Sequence, residues 1–352
     1  MEGGEKRSGW TLRKVVRLSV LGVCLLPIAL LAVAFVVTTI NPTLIQSHRD
    51  YWSKKPLTLY CAHDLPFVED LVREFERTHD VRVSVVADTE ATKSLGLVRR
   101  IVAERDAPQA DVFWNNQLLG TLELAEQGLL APLDVPNAER FPGRHRGETW
   151  CGFGGRARVW ILDGGNTDEV FELDAGELLP SGPDFCVADP MFGTTLTHAA
   201  LLWDRAGEDR FRAWYESLPE TGTRVVPGNS ATRDLVVAGT CRRGWTDTDD
   251  AFGAIDDWAE VTFQPVLVDG EAIVKDAPHP EAARQFADWL LSEAVERKLA
   301  AGAARQIPLG SLSSPDLLPA DVEGLRSLAG NAVDLRGLLS ARRAVLEYLS
   351  RR

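Results

Sequence analysis

Several things are missing from this 352-residue chain, and each absence closes off a class of function. Its five cysteines (Cys24, Cys61, Cys151, Cys186, Cys241) form no C-x-x-C pair and no Cys/His spacing able to build a zinc site. There is no Gly-x-Ser-x-Gly elbow, no His-Glu-x-x-His and no Gly-x-x-x-x-Gly-Lys phosphate loop, so the common hydrolase and nucleotide signatures are absent. Positive charge is scarce: the formal net charge is -13. Residues 1 to 55 hold eight Lys/Arg against three Asp/Glu, which leaves the remainder near -18. Nucleic-acid binding needs clustered positive charge, and no nucleic-acid partner is expected. The chain also lacks internal repeats, low-complexity tracts and any Gly/Ser linker. With 45% hydrophobic residues it has enough apolar side chain to bury one large core or two of ordinary size.

What is present begins with an apolar run. Leu18 to Ile40 carries no charge over 23 residues and follows Lys6, Arg7, Arg13, Lys14 and Arg17. About 20 apolar residues span a bilayer core as a helix, and positive charge on the leading flank keeps that end cytoplasmic. Residues 1–17 are thus expected to be a cytoplasmic N-terminus, 18–40 a transmembrane anchor or signal, and 41–56, polar with two prolines, a stalk. Ala32-Val33-Ala34 is a passable cleavage site, but the apolar run continues past it, which favours an uncut anchor.

Beyond the stalk, strand and helix patterns alternate. Leu57–Tyr60, Val81–Val86 and Ala110–Trp114 read as strands, and Pro66–Thr78 and Thr92–Arg105 as amphipathic helices. The alternation resumes with strands over Val159–Leu162, Phe185–Ala188 and Arg224–Val226, and helices over His198–Leu202, Arg210–Leu218 and Ser230–Ala238. Such a pattern predicts an α/β fold with parallel strands, and ligand groups in the loops at their carboxyl ends. Two lobes of one crossing chain are expected: 57–155 with 262–310 as lobe 1, 156–261 as lobe 2, and 311–352 as a C-terminal helical tail.

Local signatures extend this reading. Leu57-Thr-Leu-Tyr-Cys-Ala-His63, Asp88-Thr-Glu-Ala-Thr-Lys93 and Asp106-Ala-Pro-Gln-Ala-Asp-Val-Phe-Trp-Asn115 occur in an order that resembles the opening lobe of the iron(III)-type extracellular solute-binding proteins of ABC transporters. Gly152–Val159, Ala188–Thr195, Gly228–Ser230, Thr246–Asp250, Ala277–Ala283 and Gln306–Leu309 are similar to that family's later landmarks. The resemblance implies a two-lobed periplasmic-binding-protein-like (type II) fold, a small solute or ferric iron carried as cargo rather than as a cofactor, and an ABC permease as partner.

On this resemblance, together with the chemistry of strand-end loops, the expected ligand-binding residues are His63, Asp64, Thr89, Glu90, Trp114, Asn115, Arg156, Gly193, Thr194, Thr195, Asn229, Ser230, Asp247, Thr248 and Asp249. His63, Glu90, Asp247 and Asp249 supply imidazole and carboxylate donors suited to a hard metal. Each residue also has a structural reading. Asp64 caps a helix, Glu90 complements a helix dipole, and Thr194, Thr195, Asn229 and Ser230 cap the helices that follow them. Gly152-Phe-Gly-Gly-Arg156 reads as a flexible turn in which Arg156, rather than Arg158, grips an oxyanion. The sequence departs from the ferric pattern at two places. No tyrosine pair stands near Asp247, and the stretch from Trp258 to Lys275 is short. Two alternatives therefore stand beside the importer reading: a membrane-anchored sensor or scaffold that kept the fold without transport, and a metal-dependent hydrolase using His63 and the acidic string.

Overall fold

The computed structural model describes residues 55–63, 65–88, 95–163, 179–191, 193–255, 259–303, 305–314, 318–329 and 334–352. Asp64, Thr89, Glu90 and the whole Leu18–Ile40 segment lie outside them. Among the described residues no helix is long and apolar enough to cross a membrane.

A single eight-stranded sheet runs in the order β2-β1-β3-β8-β4-β7-β5-β6. Its strands are β1 (Leu57–Cys61), β2 (Val83–Ala87), β3 (Val112–Asn115), β4 (Cys151–Asp163), β5 (Phe185–Ala188), β6 (Arg224–Val226), β7 (Arg243–Asp247) and β8 (Ala259–Ile273). Three parallel strands, β1 to β3, form one end, and three more, β5 to β7, form the other. Between them β4 and β8 pair antiparallel along nearly their whole length, and each also pairs with one trio. The chain thus leaves the first trio along β4, builds the second, and returns along β8. This is the α/β alternation expected from the sequence, with the crossing strands made explicit.

Helices cover the sheet because their apolar residues recur on one face. In α1 (Leu65–His79), Val68, Leu71, Val72 and Phe75 are buried, and Arg77 and His79 occupy the last turn, where positive charge suits the helix dipole. Helix α2 spans Leu95–Ala103 and α3 spans Leu118–Glu126. The second trio carries α4 (Gly193–Ala206), α5 (Glu208–Ser217), α6 (Asn229–Val237) and α7 (Thr248–Ile255). Helices α8 (Pro280–Leu290) and α9 (Glu293–Ala301) follow β8. The start of α8 is fixed to β3 by buried Asp111, whose carboxylate accepts from the His279 amide at 2.6 Å and also bonds its ring at 2.9 Å. The last helices, α10 (Ala320–Ala329) and α11 (Leu339–Ser350), complete the fold. Helix α11 lies against α4 and α3, with Arg342 and Arg343 paired to Glu123 and Glu126 of α3.

One segment differs from its sequence reading. Gly152–Arg156, expected as a turn, is the first part of β4. Its glycines serve a β-bulge: the β4–β8 register slips between Phe153 and Gly155, and Gly154 adopts φ 57°. A bulge residue in that region favours glycine, and the extra residue re-aims the side chains that follow it. Pro265 and Gly270 both lie within β8. Pro265 falls in the stretch where the ladder slips again, between Ala157 and Val159, so its missing N–H has less to disrupt. At Gly270 a Cβ would stand 2.5 Å from Thr121 Oγ1, which makes glycine the residue that lets α3 approach the strand.

Candidate functional site: a buried polar cluster where the two strand trios meet

The bulge at Gly154 precedes two arginines that share one face of β4. Arg158 stands directly across from Asp247, the last residue of β7, and its Nη1 donates to Asp247 Oδ1 at 2.8 Å. Both side chains are nearly sealed from solvent, at 1% and 2% exposed. Asp247 Oδ2 accepts from Asn229 Nδ2 at 2.8 Å and from the Thr194 hydroxyl. Asn229 in turn accepts from Arg158 Nη1 at 2.8 Å and from Thr195 at 3.2 Å, and donates to Thr194 at 3.0 Å. Thr194 follows β5, Asn229 follows β6 and Asp247 ends β7, so three parallel strands deliver their C-terminal ends to one network.

Arg156 links this network to the first trio. Its Nη1 donates to Asp249 Oδ2 at 2.9 Å, while Nη2 lies 3.0 Å from His63 Nε2, just beyond β1. Gln306 Nε2 reaches the same histidine nitrogen at 2.5 Å. The guanidinium and the amide thus converge on one ring nitrogen. Gln306 is held there because Gly155 and Ile307 exchange both backbone hydrogen bonds, each at 2.7 Å. Trp114 completes the wall on the first-trio side, its ring 5.5 Å from that of His63 and 5.6 Å from that of Phe153.

The charges are arranged in opposed pairs. Asp250, next along α7, has its carboxyl pushed well above the usual carboxylate range, first by burial and then by the neighbouring Asp249 and Asp247 charges. Behind the cluster His198 packs edge-on to Trp245 at 4.5 Å, and burial, with Arg158 and Arg205 nearby, holds its basicity far down.

Set against the sequence expectations, the structure brings His63, Trp114, Arg156, Thr194, Thr195, Asn229, Asp247 and Asp249 into one contiguous cluster. Thr248 borders it: its hydroxyl accepts from the Ala157 amide at 3.2 Å. The string Thr246–Asp250 is the end of β7 and the first turn of α7 rather than a free loop. Gly193, with φ 54°, opens α4 beneath Thr194. Asn115 turns to Thr121 at 3.4 Å, and Ser230 is exposed with no side-chain bond into the network. Asp64, Thr89 and Glu90 lie outside the described residues. Two members were not expected: Arg158, passed over for Arg156, and Gln306, which only the Gly155–Ile307 bridge brings into reach. The alternation that puts Arg156 and Arg158 on one strand face was the available signal for the first. Among the described residues no three His, Cys, Asp or Glu side chains gather as a metal site, and the donors expected of Asp247 and Asp249 point to guanidinium groups.

No protein-family model and no curated protein sequence matches the chain. Solved structures do match in shape. Iron-bound HitA from Pseudomonas aeruginosa superposes with a TM-score of 0.69 at 20% identity, covering 83% of this chain and 99% of that one. The apo ferric ion-binding protein A of Pasteurella haemolytica gives 0.71 at 18% identity, over 85% and 98% of the two chains. The periplasmic binding protein AfuA of Actinobacillus pleuropneumoniae, with exogenous fructose-6-phosphate bound, gives 0.68 at 18%, over 84% and 98%. The chain has the periplasmic-binding-protein fold. On that fold the polar cluster falls where the trios of parallel strands approach each other across β4 and β8.

Proposed function

We propose that this chain is an extracytoplasmic solute-binding protein, tethered to the outer face of the cytoplasmic membrane by Leu18–Ile40, that captures a small ligand between lobes 57–155 with 262–310 and 156–261 and presents it to an ABC permease. The observation that carries the reading is the convergence of His63, Arg156, Thr194, Asn229 and Asp247 at strand C-termini from both trios, on a fold shared with binders of ferric ion and of a phosphosugar.

The donor set supports a solute bearing an oxyanion over a bare ferric ion. Asp247 already receives Arg158, Thr194 and Asn229, and Asp249 receives Arg156, so a cation entering here would have to displace guanidinium charge. An oxyanion would instead replace a carboxylate on the arginines, which suits their planar donor geometry. Of the described tyrosines, Tyr60 bonds Glu104 and Tyr348 bonds Glu216, both away from the cluster. Tyr215 packs edge-on against Tyr348.

The test is a thermal-shift panel on the full chain in detergent, with inorganic phosphate, a sugar phosphate, citrate, ferric citrate, magnesium and calcium. An upward shift with oxyanion ligands that vanishes in Arg156→Ala supports the reading. A shift confined to ferric iron turns the ligand class to metal, and no shift anywhere supports the anchored sensor or scaffold.

A further inference from the structure

Four cysteines lie among the described residues, all buried, and two of them belong together. Cys186 is in β5, and Cys241 precedes β7 by two residues. The amides of Arg242 and Arg243, directly after Cys241, both donate to the carbonyl of Asp184, at 2.9 and 3.1 Å, which ties the approach to β7 onto the approach to β5. The two side chains share a small buried apolar cluster with Ile161, Val236 and Ala254, where the Cys186 thiol is directed at the carbonyls of Thr232, at 3.6 Å, and Arg243, at 3.7 Å. Gly244 keeps the space open: a Cβ there would come within 3.0 Å of Cys186 Sγ. Cys61 and Cys151 sit on β1 and β4, each with its thiol directed at a local backbone carbonyl.

We propose that Cys186 and Cys241 are joined by a disulfide in the exported protein. This rests on the extracytoplasmic placement proposed above, since thiols stay reduced in the cytosol and oxidise outside it. In the step two S–H bonds break and one S–S bond forms. The two electrons and two protons pass to an extracytoplasmic thiol oxidoreductase, whose own S–S bond breaks as it is reduced to its dithiol. Burial raises the Cys186 thiol far above its ordinary range, and thiolate is the reacting species, so the bond forms while the second trio is still folding and resists reduction afterwards. The closed loop contains α4, α5, β6 and α6, so the link restricts the unfolded second trio and stabilises the region that holds Thr194 and Asn229.

Two arms separate this pairing from the compartment on which it rests. In the first, the full chain is denatured and refolded in oxidised and reduced glutathione, alkylated without reductant and digested with trypsin. Mass spectrometry is expected to find the peptide 159–205 joined to 234–242, with Cys61 and Cys151 alkylated. The oxidised protein should melt about 5 °C higher than the reduced one, a gain lost in Cys186→Ser. In the second arm the chain is trapped with alkylating agent in cells that express it. A bond in both arms supports the proposal. A bond in the refolded protein with Cys186 and Cys241 both alkylated in cells overturns the extracytoplasmic placement, and the physiological bond with it. Alkylation of both thiols in protein that has refolded, or any other pairing, overturns the Cys186–Cys241 assignment whatever the compartment.

Discussion

Strand β4 is flanked by two buried carboxylates in opposite situations. On one side Asp247 faces Arg158 across the β4–β7 ladder and accepts from three side chains. On the other, Glu271 faces Cys151 across the β4–β8 ladder, is 0% exposed, and has no hydrogen-bond partner for either oxygen among the described residues. Burial, with some repulsion from Asp288, pushes the Glu271 carboxyl well above the usual range. The same sheet thus surrounds one acid with donors and leaves the other among apolar neighbours, where it keeps its proton. A buried ion survives by being paired, and a buried acid without a partner survives by giving up its charge. The first arrangement is polar, convergent and at strand ends, where ligands bind. The second lies inside the β3–β8–β4 junction and is a matter of stability.

Removing the partner on the Asp247 side is the largest expected disruption. Arg158→Met leaves Asp247 buried with its charge uncompensated, and loss of one member of a buried pair costs about 3–5 kcal/mol. Urea unfolding of the full chain measures it. A loss below about 1 kcal/mol would mean that the pair is not buried as described. Arg156→Ala is next. Arg156 reaches across to His63, so its removal is expected to cost about 1–3 kcal/mol of stability and to weaken oxyanion binding by more than tenfold, read by calorimetric titration.

Glu271 sharpens the comparison through pH. A carboxyl whose folded pKa is raised holds its proton more tightly in the folded state. Its stabilising effect is complete below the ordinary glutamate value near 4.5 and is lost as pH rises from there towards the raised folded value. Glu271→Gln keeps the shape and removes the titration. The variant is therefore expected to gain on the parent as pH increases from 5 to 8, by on the order of 1 kcal/mol, and to match it near pH 4. Parallel stability curves would show that Glu271 finds a partner after all.

Much of this was legible in the sequence. Sequence pattern placed β1, α1, β5, β6 and α6 within a few residues of their observed limits: α1 buries one face and its apolar spacing records that, while β1 and β5 are short apolar runs buried nearly throughout. Residue type and loop position singled out His63, Thr194, Asn229 and Asp247, which the fold brings close together. What the sequence hid were the features that depend on a second strand. Gly152–Gly155 looks like a turn until β8 lies beside it, and then it is a bulge. Gln306 carries no local signal, for its place follows from two backbone hydrogen bonds to Gly155. The arginine pairing of Asp247 and Asp249 depended likewise on which strands become neighbours.

The smallest expected effect tests the boundary of the cluster. Asn229 and Ser230 are adjacent in sequence, open the same helix and have similar capping chemistry, so sequence reasoning treats them alike. In the fold they part: Asn229 bonds Arg158, Thr194 and Asp247, while Ser230 is exposed. Ser230→Ala is expected to change stability by less than about 0.5 kcal/mol and to leave oxyanion affinity within twofold, as exposed substitutions usually do. Asn229→Ala strips two donors' worth of order from Asp247 and Thr194, and about 1–3 kcal/mol should follow from the unsatisfied groups. Equal effects at the two positions, measured side by side by unfolding and titration, would mean that the helix start as a whole carries the function and that the network around Asp247 does not.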